Sequence, residues 1–380
     1  MLDKIKKMDR WMVLLLFVFS VASTFIVYSA TRANEKFVSM GVKNMLNFGV
    51  AFIVLFVVMS LNYRWFVKYA SWIYWTVIAL LILVFPFGAE INGAKGWFRI
   101  GIGFDIQPAE MMKLALILYF AERLSRRRGL SLRFWEDLIP LILYTLLPFL
   151  LVVIQPDLGN AIIYIIILLG MLWIANVRLI HVIVGTSLVV IGLGLFFGLF
   201  STQHEWFKQH LKPHWVQRID TFLDPTKVSK DASYQVDNAI RAIGSGGVSG
   251  EGYMQGTAVQ KQFIPYPYSD SIFVVVAEEF GFTGAATLLM LYFMLLTRIL
   301  STASITTDYA GTYIAVGVLS MLVFQVFENI GMLIGLMPLT GITLPFISYG
   351  GTSLLMNMCS LGFVLSIGVH QGKLDEYLEA

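Results

Sequence analysis

Residues 264–284 read IPYPYSDSIFVVVAEEFGFTG, and they decide the class of the fold. A polar segment broken by Pro265 and Pro267 runs straight into an apolar helical run that carries three carboxylates near its start: Asp270, Glu278 and Glu279. At a rise of about 1.5 Å per residue, the two glutamates lie roughly 12 Å beyond the aspartate. An ionised group at bilayer depth costs at least about 2.5 kcal/mol, so such residues face a partner, a cavity or a substrate. The pattern predicts a site where a helix bundle meets a membrane surface.

Composition agrees. The 380 residues are 57% hydrophobic and 13% charged, with a mean hydropathy of +0.75, which excludes an ordinary soluble globule. Apolar runs long enough to cross a bilayer recur at approximately 11–30, 45–60, 70–88, 108–124, 137–154, 159–176, 179–200, 271–297, 309–335 and 348–369. The expected fold is an all-α polytopic membrane protein of about ten transmembrane helices, with residues 1–380 forming one membrane domain. The first run follows Lys4, Lys6, Lys7 and Arg10 and could pass for a signal peptide, but no clear small-residue cleavage site precedes a soluble domain, so it reads as a retained span. The single cysteine, Cys359, excludes an internal disulfide framework and a cysteine-cluster metal site. No nucleic-acid partner is expected.

Lysines and arginines set the orientation. With a cytoplasmic amino terminus, the inside segments carry Arg64, Lys68, Arg123, Arg133, Arg178, Arg298 and the run Arg126-Arg127-Arg128, against Arg32, Lys36, Lys43, Lys95 and Arg99 in the short outside loops. Both termini are therefore expected to be cytoplasmic, with Arg126–Arg128 read as a topology determinant rather than a lipid-headgroup site. One large extracytoplasmic loop, about 201–270, lies between spans seven and eight; a connection of about 70 residues is functional more often than idle. Its first part, HEWFKQHLKPHWVQRIDTFLDP, fits short interfacial helices. Its middle, AIGSGGVSGEGYMQG, lacks the spacing and surroundings of a nucleotide fingerprint, and reads equally as a flexible surface loop or as a substrate-wrapping one.

Three more breaker-rich stretches fall on the same outer side: NGAKGWFRIGIGFDIQP at 92–108, QPDLG at 155–159 and GLMPLTGITLPFISYGG at 335–351. Irregular backbone at membrane depth is tolerated only where protein buries it or where it lines a cavity, so the four stretches together predict a shared outward-facing pocket. Within it, Glu110 and Lys113 stand at i, i+3 on one helical face, either as a pocket-lining pair whose ammonium meets a phosphate or as a structural ion pair. Asp270, with Ser269, can cap span eight. Asp157 in the QPDLG turn can cap span six or line the pocket. Glu278 and Glu279 are expected to be buried in a supporting role, and Glu328 and Asn329 to bond other helices. There is no H-E-x-x-H, Walker or G-x-S-x-G motif, and His204, His210 and His214 make a poor zinc set, so no metal site is expected.

NGAKGW with IQPAEMMK, then QPDLGNA, YQVDNAIRAIGSGGVSGEG, SDSIFVVVAEEFGFTG and PLTGITLPFISYGG resemble, in order and spacing and over nearly the whole chain, the SEDS family of RodA, FtsW and SpoVE. QRIDTFLDP and the short termini look more like RodA. The resemblance implies a multi-pass protein of the bacterial cytoplasmic membrane that polymerises lipid II into peptidoglycan for cell shape, beside a class B penicillin-binding protein (a transpeptidase) in a cell-wall elongation complex. The family's required aspartate, in its T-D-F-I-F motif, falls on Asp270. The Q-P-S-E-x-x-K motif falls on Gln107, Pro108, Ala109, Glu110 and Lys113, QPDLG on 155–159 with Asp157, and SYGG on 348–351 with Ser348. The chain departs from the family at Ser269 and Ser271, at Tyr266–Tyr268, and at Gly96, Asp105 and Lys43, where arginines are common at or near these places.

The chemistry implied needs a base for an incoming sugar hydroxyl and positive charge for a departing diphosphate. Diphosphate leaves without the general acid that a glycosidase requires. Asp270 is the expected base, and Lys113, with Arg218 or Arg241 from the loop, the expected counter-charge. An α-linked donor and β-linked product imply a single inversion. No cofactor is certain, and a divalent cation stays open. The rival expectation is a flippase for the lipid-linked precursor, and a third is a non-catalytic scaffold.

Overall fold

In hydrocarbon every backbone polar group must be satisfied within its own segment, so long apolar runs fold as helices. The structure, a computed structural model, describes residues 8–32, 37, 39–91, 94–100, 104–210, 216, 220 and 230–370. The helices are α1 (Arg10–Arg32), α2 (Met40–Ser60), a short α3 (Tyr63–Lys68), α4 (Ala70–Phe87), α5 (Pro108–Ser125), α6 (Ile139–Ile154), α7 (Leu158–Ile174) and α8 (Leu179–Thr202). They continue with α9 (His204–His210), α10 (Lys230–Ser245), α11 (Thr257–Gln260), α12 (Ile272–Ile305), α13 (Tyr309–Leu333) and α14 (Gly351–His370). Each expected span corresponds to one helix, and α12 reaches Ile305 rather than stopping near 297. Among the described residues, 8 helical segments are long and apolar enough to cross a membrane. The chain is a multi-pass membrane protein.

α5 is not one of those eight, and its place explains why. It carries Glu110, Lys113, Glu122 and Arg123 within 18 residues, too much charge for a lipid-facing helix, and it is enclosed by α4, α7 and α13 with most of its side chains buried. α13 in turn packs on α5, α7 and α12, while α14 lies along α2, and α1 joins α2 to α12. α8 stands on the flank: none of the residues in its most apolar stretch is buried.

Two features were not legible as such in the sequence. Three strands, β1 (Ala89–Ile91), β2 (Ala94–Ile100) and β3 (Phe104–Ile106), form a small antiparallel sheet in the order β1-β2-β3. Arg99 and Asp105 face each other across β2 and β3 and form an ion pair at 3.7 Å. A π-helical turn, Phe134–Leu138, leads into α6. The large loop also carries more structure than expected, since it contains α10, which packs on α12 and α13.

Candidate active site

The site is built where the four irregular stretches meet. Residues 337–350 run without regular structure, and their carbonyls are collected one by one from surrounding helices. Asn329 Nδ2 donates to Ile342 O at 2.7 Å, Ser23 Oγ to Ile347 O at 2.7 Å, and the Tyr292 hydroxyl to Pro345 O. Ser348 Oγ accepts from Leu344 N at 2.8 Å. This is how an extended segment survives inside a bundle: each buried backbone group finds a partner.

That segment connects the other stretches. Tyr349 N donates to Tyr268 O at 2.9 Å, tying it to the end of the large loop. Thr352 Oγ1 donates to Asp105 O at 2.5 Å and accepts from Gln107 N at 3.3 Å, tying it to the sheet. Gly159 lets the start of α7 approach so closely that an added Cβ would stand 3.1 Å from Thr340 Cβ. These contacts bring the irregular stretches together at one end of the bundle.

Asp270 lies at this junction, half-buried, two residues before α12 begins. Asn329 Nδ2 holds its carbonyl at 2.7 Å, using the same amide that holds Ile342. A Cβ at Gly341 would stand 3.9 Å from Asp270 Oδ2, so the carboxylate lies over that glycine. The capping expectation needs correction: the N-cap position of α12 is Ser271, whose side chain makes no capping bond. Tyr268 is buried beside it, its ring 6.1 Å from that of Tyr349. Burial pushes the Tyr268 phenol up to about 12, so it stays neutral.

On the α5–α7 side, Gln107 Nε2 donates to Asp157 Oδ2 at 2.7 Å, and Asn160 donates to Asp157 through both its backbone N (3.2 Å) and its side chain (2.9 Å). Asp157 therefore caps α7 and lines the junction at once, and burial raises its carboxyl above the ordinary range against the pull of Asn160. Below it, Lys113 Nζ lies 2.6 Å from Glu110 Oε2, and the lysine side chain is only 1% exposed. Glu328, wholly buried on α13, is in the electrostatic reach of both Lys113 and Asp157. Among the described residues no group of three or more His, Cys, Asp or Glu forms a metal-holding set.

Glu278 and Glu279 have structural partners. α12 is broken at Gly281 (φ 63, ψ −158), a conformation open almost only to glycine. The glycine-rich strap docks on this break: Glu251 N donates to Glu278 O, Gly252 N to Glu279 O, Phe282 N to Gly247 O and Thr283 N to Val248 O, at 2.9–3.1 Å. The first free N–H groups of α11 are then taken by carboxylates. Glu251 accepts from Thr257 N at 2.8 Å, and Glu278 from Ala258 N at 2.6 Å and Val259 N at 3.2 Å. Those bonds from Thr257 hold the Glu251 carboxyl below its ordinary range. Glu279 accepts from Ser29 Oγ of α1 at 2.5 Å. The strap is thus an ordered brace for the segment that ends at Asp270.

Of the remaining candidates, Arg241 is exposed on α10, and no hydrogen bond or ion pair ties it to Asp270 or Lys113 among the described residues. Arg218 lies outside the described residues. Ser348 uses its hydroxyl on Leu344. Asn329 was expected only to bond other helices, yet it joins the two halves of the site. Only its apolar setting in α13 signalled burial. A groove of about 800 Å³ between α1 and α2 is lined mainly by apolar side chains such as Phe17, Phe48 and Phe52, and none of the candidate site residues is in its lining.

The FtsW/RodA/SpoVE family model, described as cell cycle protein, matches residues 7–373. The chain belongs to the FtsW/RodA/SpoVE family. Among curated relatives, stage V sporulation protein E of Bacillus subtilis is 32% identical over 94% of this chain and 96% of its own length. The peptidoglycan glycosyltransferase MrdB of Escherichia coli K12 is likewise 32% identical, over 98% of this chain and 96% of its own. A chain from a solved peptidoglycan synthase complex, in which polymerization and crosslinking are coordinated, superposes with a TM-score of 0.78 at 29% identity, covering 95% of this chain and 97% of that one. This member of the FtsW/RodA/SpoVE family thus matches its relatives nearly end to end.

Proposed function

We propose that the chain is a peptidoglycan glycosyltransferase that polymerises lipid II at the outer face of the bacterial cytoplasmic membrane, serving cell elongation and shape. The observation that carries this is Asp270, a half-buried carboxylate over Gly341, with its backbone fixed by Asn329 at the junction of the four irregular stretches. In this reading Asp270 takes the proton from the acceptor sugar's 4-hydroxyl as that oxygen attacks the anomeric carbon of the donor. The carbon–oxygen bond to the diphosphate breaks with inversion, and the lipid diphosphate leaves. General-base assistance of this kind is worth about 10² to 10⁴ in rate.

Lys113 is enclosed beside Glu110, so its role is electrostatic, as the positive half of a buried pair near Asp157. Arg241 and Arg218, on the large loop, are the candidates for touching the diphosphate. Ten spans with both termini cytoplasmic fit the surplus of arginine at the opposite ends of the helices. A class B penicillin-binding protein is the proposed partner, supported by the likeness to a chain from a synthase complex that couples polymerization to crosslinking. Purified protein given lipid II in detergent tests the activity directly, because detergent has no second leaflet to flip into. Glycan strands are expected, and a protein that makes none there while moving lipid II across vesicles would be a flippase.

A further inference from the structure

The end of the bundle away from Asp270 holds a polar pocket. α5 starts beside Gln107 and runs 18 residues to Ser125, about 27 Å at 1.5 Å per residue, so its far end lies a bilayer core's depth from the site. There, between the end of α5 and the start of α6, a pocket of about 320 Å³ is lined by Arg123, Arg126, Arg127, Glu136, Asp137 and Tyr144, among others. That is at the lower end of the range for small-molecule sites, roughly 300–1,000 Å³.

The arginines are not all neutralised by their neighbours. Arg127 meets Asp137 at 2.7 Å and Glu136 at 3.1 Å, and Arg133 also meets Glu136. Arg123 and Arg126 share the single carboxylate of Glu122, so these four arginines face three carboxylates and the cluster keeps one positive charge in excess, on the side of Arg123 and Arg126. Arg123 is also held in place by aromatic faces, its guanidinium 5.2 Å from the Tyr119 ring and 6.0 Å from that of Tyr144. A topology determinant needs neither a pocket nor a pre-oriented guanidinium. Next to Glu136 of the pocket, Trp135 is 77% exposed, a side chain of the kind that anchors a protein at the headgroup level of a bilayer.

We propose that this pocket binds the phosphate of an anionic phospholipid from the adjoining leaflet, with Arg123 and Arg126 as its donors. The exposed tryptophan beside the pocket places its mouth at the membrane interface, and basic pockets between transmembrane helices suit such headgroups. The inference is independent of the glycosyltransferase activity.

Native mass spectrometry of the full chain, released from micelles doped with equal phosphatidylglycerol and phosphatidylcholine, tests it. Wild type is expected to retain phosphatidylglycerol preferentially, and Arg123→Gln/Arg126→Gln to lose about 30-fold of that preference. Arg128→Gln is expected to keep it, since Arg128 is exposed and does not line the pocket. Arg126→Gln alone, at a side chain 65% exposed, tests the donor without threatening the fold and should lose several-fold. Equal retention of the two lipids by wild type, an unaltered preference in Arg126→Gln, or an equal loss in Arg128→Gln would each overturn the proposal.

Discussion

Gly281→Ala tests whether the strap positions Asp270. At φ 63 and ψ −158 an alanine carries about 1–3 kcal/mol of backbone strain. Its Cβ would also stand 2.7 Å from the carbonyl of Val248, a backbone contact that cannot rotate away. The strap must shift, and four backbone hydrogen bonds, each worth about 0.5–1.5 kcal/mol net, are weakened together. A loss of at least about 2 kcal/mol in docking is expected, a roughly 30-fold rise in the undocked population. The bundle itself should persist, because α5, α13 and α14 are packed independently of the strap. Hydrogen exchange read by mass spectrometry should show faster exchange at Glu251, Gly252, Phe282 and Thr283, with unchanged protection in α5, and polymer formation should fall in parallel. Unchanged exchange at those four amides would refute the steric reasoning, and faster exchange with wild-type polymer formation would refute the link to Asp270.

Three further outcomes follow from the same contacts. Glu110→Gln should lower the melting temperature sharply, since leaving Lys113 buried without its partner costs about 3–5 kcal/mol; Glu110→Leu/Lys113→Met should restore the melt but not polymer formation, whereas recovery of both would make the pair merely structural. Asn329→Leu orphans the carbonyls of Asp270 and Ile342, at about 1–3 kcal/mol each, and should depress turnover more than lipid II binding; an unchanged rate would remove Asn329 from the site. The Glu251 cap, whose folded carboxyl titrates below its unfolded value near 4.3, stabilises the strap above that pH and is lost as pH falls through the lower folded value. Exchange of Thr257 corrected for intrinsic rate should rise there, and Glu251→Gln should abolish the pH step.

Much of this was legible because the bilayer imposes it: an apolar run of some twenty residues has one way to satisfy its backbone, so the spans could be read directly. The polar residues could be picked out as well, since Gln107, Glu110, Lys113, Asp157 and Asp270 stand in or beside apolar runs, and the structure pairs Gln107 with Asp157 and Lys113 with Glu110. The partners were harder. Glu278 reads as a buried acid in a helix, and nothing local says that Ala258 and Val259, about twenty residues earlier, turn their N–H groups toward it. The small sheet was hidden because strands of 3, 7 and 3 residues between glycines carry no clear alternation. The capping role assigned to Asp270 failed because the helix starts one residue later than that role needs, with Ser271 at its N-cap.

The central claim is that Asp270 is the base. The decisive measurement is glycan formation from labelled lipid II by the purified full chain in detergent, wild type against Asp270→Asn, with hydrogen exchange at the strap as a check that the fold is intact. We expect the amide to keep the strap protected and to cut the polymerisation rate at least about 100-fold. A folded Asp270→Asn protein that lengthens glycans at the wild-type rate would contradict it.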